Sequence, residues 1–267
     1  DERYAEKIKA LLLDWMENNP YACGINWACT MDVALRLVSW TWFFHVFKAS
    51  QAWQDEVFQQ KFLTCLYLHA DFTERHLEFS DINGNHYTAD AAGLVFAGLF
   101  FGGGEDALRW QRKGWDILCQ ELPRQVFEDG VDFEASVPYH RLVLELFFLP
   151  ACYREALKLK TPEHYKERLV RMAEFSVAYT QPDGGVPYWG DADDARALPF
   201  GNQAINDHRY LSALLGYTWN IPALLAHKAG AFAEHFWMHG SAVVERIQQE
   251  QQHKLPTSCA FPQGGFY

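Results

Sequence analysis

Four segments, beginning near residues 28, 88, 138 and 208, are apolar almost all the way round, and each has an amphipathic segment beside it in the chain. A helix without a polar face has to be buried, and an amphipathic helix can cover it while facing water. Residues 28–48 are interrupted only by Asp32, Arg36, His45 and Lys48; residues 88–101 are broken only by Asp90 and end at Gly102-Gly103-Gly104, a run suited to helix termination. Residues 138–153 carry Pro138 near the expected first turn, where its missing N–H costs little. The amphipathic segments are 6–16, 54–70, 106–122 (with Pro123 as the expected stop) and 162–179, and 208–217 and 223–238 form a further pair. This alternation predicts helical hairpins recurring every 50–60 residues or so by eye, stacked on a common core. The fold class is therefore all-α: buried helices as an inner ring and amphipathic helices as an outer ring make an incomplete (α/α) toroid, and a superhelical solenoid is the competing architecture. Residues 1–255 lack the alternation of a half-buried strand and form the expected toroid domain. Residues 256–267 are the expected start of a C-terminal β region, because 258–267 read as extended and stop at Gly264-Gly265-Phe266-Tyr267.

In a ring of antiparallel hairpins every second loop falls on the same end. The loops leading into the buried helices, 18–27, 80–87, 129–139 and 182–207, are also the richest in Gly, Asn, Asp, His and aromatic residues. They are expected to converge on one rim, faced by the positive N-termini of the inner helices. That matters because the chain carries a net charge of −11, which argues against a nucleic-acid surface and would otherwise disfavour an anionic ligand. Aromatic residues make up 16% of the chain, enough to line a sugar-binding groove as well as to fill a core. The longest apolar stretch, 89–104, is too short to span a membrane. No signal peptide is visible, and the opening Asp1-Glu2-Arg3-Tyr4 already reads as helix, so the numbering is expected to start after a removed segment. Six cysteines without a CxxC pair or a regular spacing to histidine read as free thiols, and no metal or cofactor is expected.

The rim loops supply the chemistry. Asn85 can donate from its amide, and His86 can exchange a proton near neutrality; the plain alternative is a turn with His86 as a capping or packing residue. Ser136 is an expected N-cap, which puts Tyr139 and His140 in a first helical turn, as an acid or base or as an aromatic staple. Arg36, in an apolar helix beside Asn26 and Trp27 in the chain, needs an anion: Asp32 one turn back, or a substrate carboxylate gripped as a fork. Tyr188 and Trp189 can stack on a sugar or plug the ring; the acidic run Asp191-Ala192-Asp193-Asp194 lacks the spacing of a calcium loop.

Several ordered segments together resemble the N-terminal helical toroid of the heparinase II/III family of polysaccharide lyases. They are Gly24-Ile25-Asn26-Trp27 with Met31-Asp32-Val33-Ala34-Leu35-Arg36 and Trp40; Asn85-His86 with Ala91-Ala92-Gly93-Leu94; Asp129-Gly130 through Glu134, Ser136 and Tyr139-His140-Arg141-Leu142; and Pro182-Asp183-Gly184 with Gly190-Asp191. The resemblance implies an incomplete toroid joined to a C-terminal β-sandwich region and β-elimination on a uronic-acid-containing polysaccharide such as a glycosaminoglycan or alginate. It implies Asn85, His86 and Arg36 as the groups that neutralise the uronate carboxylate, and Tyr139 as acid and in some members also base. Substrate contacts are expected from Asn26, Trp27, Arg36, His140 and Trp189. The acidic polysaccharide is the expected partner, with no nucleic acid and no membrane span. The β region is expected to complete the site, the chain alone to show little activity, and the location to be periplasmic or secreted. Two other functions fit the same rim. One is a scaffold that holds an acidic glycan, or serves exopolysaccharide assembly, without cutting. The other is a hydrolase using Asp129 or Glu134 with Asp191 as its two carboxylates.

Overall fold

The computed structural model describes residues 1–192, 194–226, 232–249 and 258–267. Among these the chain is helical, with no strand longer than an isolated bridge. It divides into two compact units, residues 1–118 and 119–267.

The first unit contains α1 (Glu2–Asn18), α2 (Thr30–Phe47), α3 (Glu56–Arg75), α4 (Asn85–Phe101) and most of α5 (Glu105–Gln125). Local chemistry sets the ends. Asp1 caps α1 through the Arg3 N–H, and Asp55 caps α3 through the N–H groups of Val57 and Phe58. Each such cap is worth about 1 kcal/mol. Gly102, at φ 69°, closes α4 in the left-handed conformation. The two apolar helices, α2 and α4, pack together; a side chain at Gly93 would bring its Cβ within 2.8 Å of the Ala34 Cβ, so the close approach requires glycine there. Leu37, Trp40, Phe58, Phe62, Leu66, Leu94 and Trp110 form the core around them. Each fully buried side chain of this size contributes roughly 1.5–3 kcal/mol of transfer free energy.

The second unit contains the end of α5, then α6 (Val137–Ala156), α7 (Glu163–Tyr179), α8 (Arg209–Trp219), α9 (Ala233–His239) and α10 (Ser241–Gln249). Its core holds Leu144, Phe147 and Phe148 of α6 with Tyr165, Leu169 and Met172 of α7, and the Tyr165 hydroxyl donates to the Phe147 carbonyl at 2.9 Å.

Several boundaries differ from the sequence reading. α4 begins at Asn85 rather than 88, so Asn85 and His86 lie in its first turn and not in the preceding loop. α5 runs past Pro123, because a proline in the last turn removes only one hydrogen bond at the end of the helix. Segment 223–238 is a short 3-10 turn, Pro222–Leu225, followed by α9, with 227–231 outside the described residues. Residues 258–267 form a tight turn closed by the Phe261–Phe266 bridge rather than a continuous strand; 256 and 257 lie outside the described residues.

Candidate active site

In the first unit the starts of α2 and α4 lie side by side. The Thr30 N–H donates to Glu78 Oε1 at 3.3 Å, the Thr30 hydroxyl donates to the His76 carbonyl at 2.7 Å, and Cys29 Sγ is 3.9 Å from His86 Nδ1. The first two rim loops therefore converge. Asn85 is 9% exposed and His86 is exposed; the His86 ring donates from Nδ1 to Glu78 Oε2 at 2.7 Å.

Beneath them sits Asp90, fully buried in α4 and one of the few polar groups there. Its Oδ2 accepts from the Glu78 N–H at 2.7 Å, and its Oδ1 has no partner. Burial, and to a lesser degree the nearby Glu78 charge, push its pKa up to about 8. A carboxyl whose folded value is raised stabilises the fold fully below its unfolded value, about 3.9, and that contribution is lost as the pH rises through about 8. We expect Asp90→Asn, which keeps an acceptor for Glu78, to melt several degrees above the unsubstituted chain at pH 8.5 and to lose that advantage at pH 5. Parallel melting curves across this range would show that Asp90 ionises normally.

Arg36 makes no ion pair with Asp32, which acts on it only at longer range. Its Nε donates to His69 Nε2 at 3.0 Å, its Nη2 donates to the Asn26 carbonyl, and its guanidinium lies 4.8 Å from the Trp15 ring and 5.7 Å from that of Trp27. His69 can accept because its Nδ1–H is spent on the Cys65 carbonyl at 2.7 Å, and because burial holds its pKa at about 3, so the ring is neutral. Two indole faces take the place of a carboxylate. The expected internal anion is replaced by a cation–π cage, and burial lowers the Arg36 pKa to about 10. Asn26 donates its amide to Asn19, and Trp27 is buried against Tyr21 and Phe72. Trp27 is thus part of the cage and Asn26 lends it a backbone carbonyl, in contrast to the open rim expected for them.

In the second unit the other two loops also converge. Ser136 is the expected N-cap, its hydroxyl accepting from the Tyr139 N–H at 3.2 Å while donating to the Asp191 carbonyl. The Val137 N–H donates to the Trp189 carbonyl at 3.0 Å. Gly190, at φ 76°, would place a Cβ 2.7 Å from the Ser136 Cα, so the loop crosses here on glycine. Tyr139 is half-buried in the first turn of α6, and Trp189, 59% exposed, lies in the loop held to the start of that helix, its ring 6.0 Å from that of Phe266. His140 is 1% exposed: its Nε2 pairs with the Met172 carbonyl at 3.0 Å, its ring meets Phe175 and Tyr179 edge-on, and burial lowers its pKa to about 4. That places it in the core instead of on the rim expected for it. The reason is helical phase, since the position after Tyr139 turns inward toward α7.

Arg141, fully buried, donates to the carbonyls of Ile205 at 2.8 Å and Ala195 at 2.9 Å and so ties the fourth loop to α6. Arg196 of that loop pairs with Glu234 at 2.7 Å and with Glu145 of α6 at 3.4 Å. Asp129, considered above as a hydrolytic carboxylate, accepts from the N–H groups of Gln263 and Gly264 at 2.8 and 3.0 Å, a structural task. Sequence reasoning missed Cys29 and Glu78, which no spacing links to His86, and the Glu145–Arg196–Glu234 cluster. Glu145, an acid in the middle of the apolar stretch of α6, was the one available sign of that cluster.

No described helix is long and apolar enough to cross a membrane. Residues 1–208 match the family described as Heparinase II/III N-terminus. The heparin-sulfate lyase of Pedobacter heparinus is 28% identical over 199 residues, which cover 72% of this chain and 29% of that protein. The heparin-sulfate lyase of Bacteroides stercoris is 27% identical, with 72% of this chain and 32% of that protein covered. This chain therefore spans about a third of the length of these relatives. Among solved structures, heparan sulfate lyase HepC from Pedobacter heparinus aligns with a TM-score of 0.60 at 24% identity over 98% of this chain and 37% of that one. Heparinase III aligns with a TM-score of 0.63 at 23% identity over 85% and 35%. These likenesses show a shared helical fold, and with the match over residues 1–208 they establish that the chain belongs to the heparinase II/III family.

Proposed function

We propose that this chain is the helical part of a polysaccharide lyase that cleaves a heparan-sulfate-type, uronic-acid-containing glycan by β-elimination. The observation that carries the reading is the placement of Asn85 and His86 in the first turn of one apolar helix, and of Tyr139 in the first turn of another, within a chain of this family. Helix N-termini offer unpaired N–H groups and partial positive charge to an anionic sugar. The C5 proton of a uronate becomes removable only when the adjacent carboxylate is neutralised. In this mechanism the Asn85 amide and the His86 Nε2–H donate to that carboxylate and stabilise the enolate-like charge as it develops. Tyr139 delivers a proton to the departing O4, and the phenolate or a group from another part of the protein takes the C5 proton. Trp189 offers a stacking face. Arg36 acts behind the rim, holding the Asn26–Trp27 loop. Completion of the site by a C-terminal β region and an extracytoplasmic location belong to the same proposal.

The test is to incubate the protein, at the full length its relatives have, with heparan sulfate and follow ultraviolet absorbance of the unsaturated uronate. Growth of that absorbance supports elimination. New reducing ends without it would assign hydrolysis, and binding without any cleavage would assign a glycan-holding scaffold.

A further inference from the structure

We propose that Cys29, Glu78 and His86 form a binding site for a divalent metal ion of the zinc class. The site lies within residues 1–118 and is independent of the lyase reading. Its ligands come from three separate segments: the residue before α2, the stretch after α3 and the first turn of α4. One thiol sulfur, one carboxylate oxygen and one imidazole nitrogen all lie within 4.8 Å of one another. Nδ1 of His86 faces both of the other donors, at 2.7 Å from Glu78 Oε2 and 3.9 Å from Cys29 Sγ. A hydrogen-bonded His–Glu pair would need no sulfur at the same point.

The distances are close to those a metal needs. With Zn–N about 2.0–2.1 Å and Zn–S about 2.3 Å in tetrahedral geometry, nitrogen and sulfur stand about 3.6 Å apart and nitrogen and oxygen about 3.4 Å. The sulfur has to close on the nitrogen by a few tenths of an ångström and on the carboxylate oxygen by up to about 1 Å, and the carboxylate has to open from the nitrogen by less than 1 Å once the bridging proton is gone. Glu78 is already held from both sides, by the Thr30 N–H on Oε1 and by Asp90 on its own N–H, which is the outer-shell support a ligand requires. His86 is exposed and gives the ion a path in, while Cys29 and Glu78 are half-buried.

Donor chemistry selects the metal. A mixed sulfur, nitrogen and oxygen set suits zinc or cobalt(II) and disfavours calcium and magnesium, which take oxygen ligands. Helix N-termini repel a bare cation, but a thiolate and a carboxylate bring the site with a 2+ ion to zero net charge. On binding, the Cys29 thiol releases its proton to solvent and the neutral imidazole carries its proton on Nε2. That nitrogen still points a donor outward, and the fourth coordination position remains for water or an anionic oxygen. Three protein ligands with one open position is the pattern of reactive rather than purely structural zinc sites.

The test is cobalt(II) titration of the chain under reducing, anaerobic conditions, with zinc competition against a chromophoric chelator. One equivalent of cobalt is expected to produce a thiolate-to-cobalt charge-transfer band that zinc abolishes. Cys29→Ser should remove the band, and His86→Ala should weaken binding about 100-fold, while Cys23→Ser leaves both unchanged. Because His86 is exposed, His86→Ala keeps the helices, checked by circular dichroism, and carries the test if Cys29→Ser misfolds. No band in the unsubstituted chain, a band persisting in Cys29→Ser, or unchanged affinity in His86→Ala would overturn the assignment.

Discussion

Tyr139→Phe is expected to lower kcat for unsaturated-product formation by about 10²–10⁴-fold, the range that one positioned proton donor supplies, while leaving glycan affinity within about twofold. The substitution is mild everywhere else. Tyr139 is half-buried, and Phe keeps its ring. The bond that caps α6 is made by the backbone N–H of residue 139 to Ser136 and survives the change. Loss of rate with binding retained therefore isolates the hydroxyl. Product formation within tenfold of the parent protein, read by ultraviolet absorbance, would remove Tyr139 from the proton transfer. Weakened binding together with a lower melting temperature would point to a packing role for the phenol.

The second large effect is on stability. Arg196 stands between two buried carboxylates, with Glu145 also accepting from the Tyr210 hydroxyl and, at 2.7 Å, from the Ala197 N–H, and Glu234 from the Gln203 amide at 2.9 Å. Arg196→Met fills the volume but removes the cation that pairs both carboxylates, leaving Glu145 only the more distant charge of Arg141. Breaking one partner out of a buried ionic cluster costs about 3–5 kcal/mol. At 2–4 °C per kcal/mol, this predicts a fall in melting temperature of about 10 °C. Burial already raises the Glu145 pKa, with Arg196 pulling it back down. A group whose folded value is raised destabilises as pH increases through that value, so the deficit of Arg196→Met should widen from pH 5 to pH 8. Adding Glu145→Gln and Glu234→Gln should recover part of it. A melting temperature within about 2 °C of the parent at pH 8 would mean the carboxylates find other partners. The cluster clamps the loop that carries Trp189 onto α6, so the same variant is expected to raise KM for the glycan.

Patterns of residues close in sequence were enough to identify the apolar and amphipathic helices, the glycine stop after Phe101, the Ser136 cap and the presence of Asn85, His86 and Tyr139 at helix starts or next to them. Helix formation and capping depend on residues three or four apart, and such spacing is written directly in the chain. The same information is blind inside helices that are apolar all round. In α6 the periodicity has no polar face to orient it, so the inward turn of His140 onto the Met172 carbonyl was not visible. Arg36 illustrates the same limit: the nearest carboxylate in the helix looked like its partner, yet the crossing of α2 and α3 delivers His69, 33 positions away, and α1 and the turn before α2 bring Trp15 and Trp27.

An all-α chain of hairpins and the residue types gathered at its loop-bearing ends thus follow from local spacing and from the need to bury apolar helices. Which of those groups are closed in the core, and which distant ones meet as Cys29, Glu78 and His86 do, depends on how helices cross and not on their order in the chain.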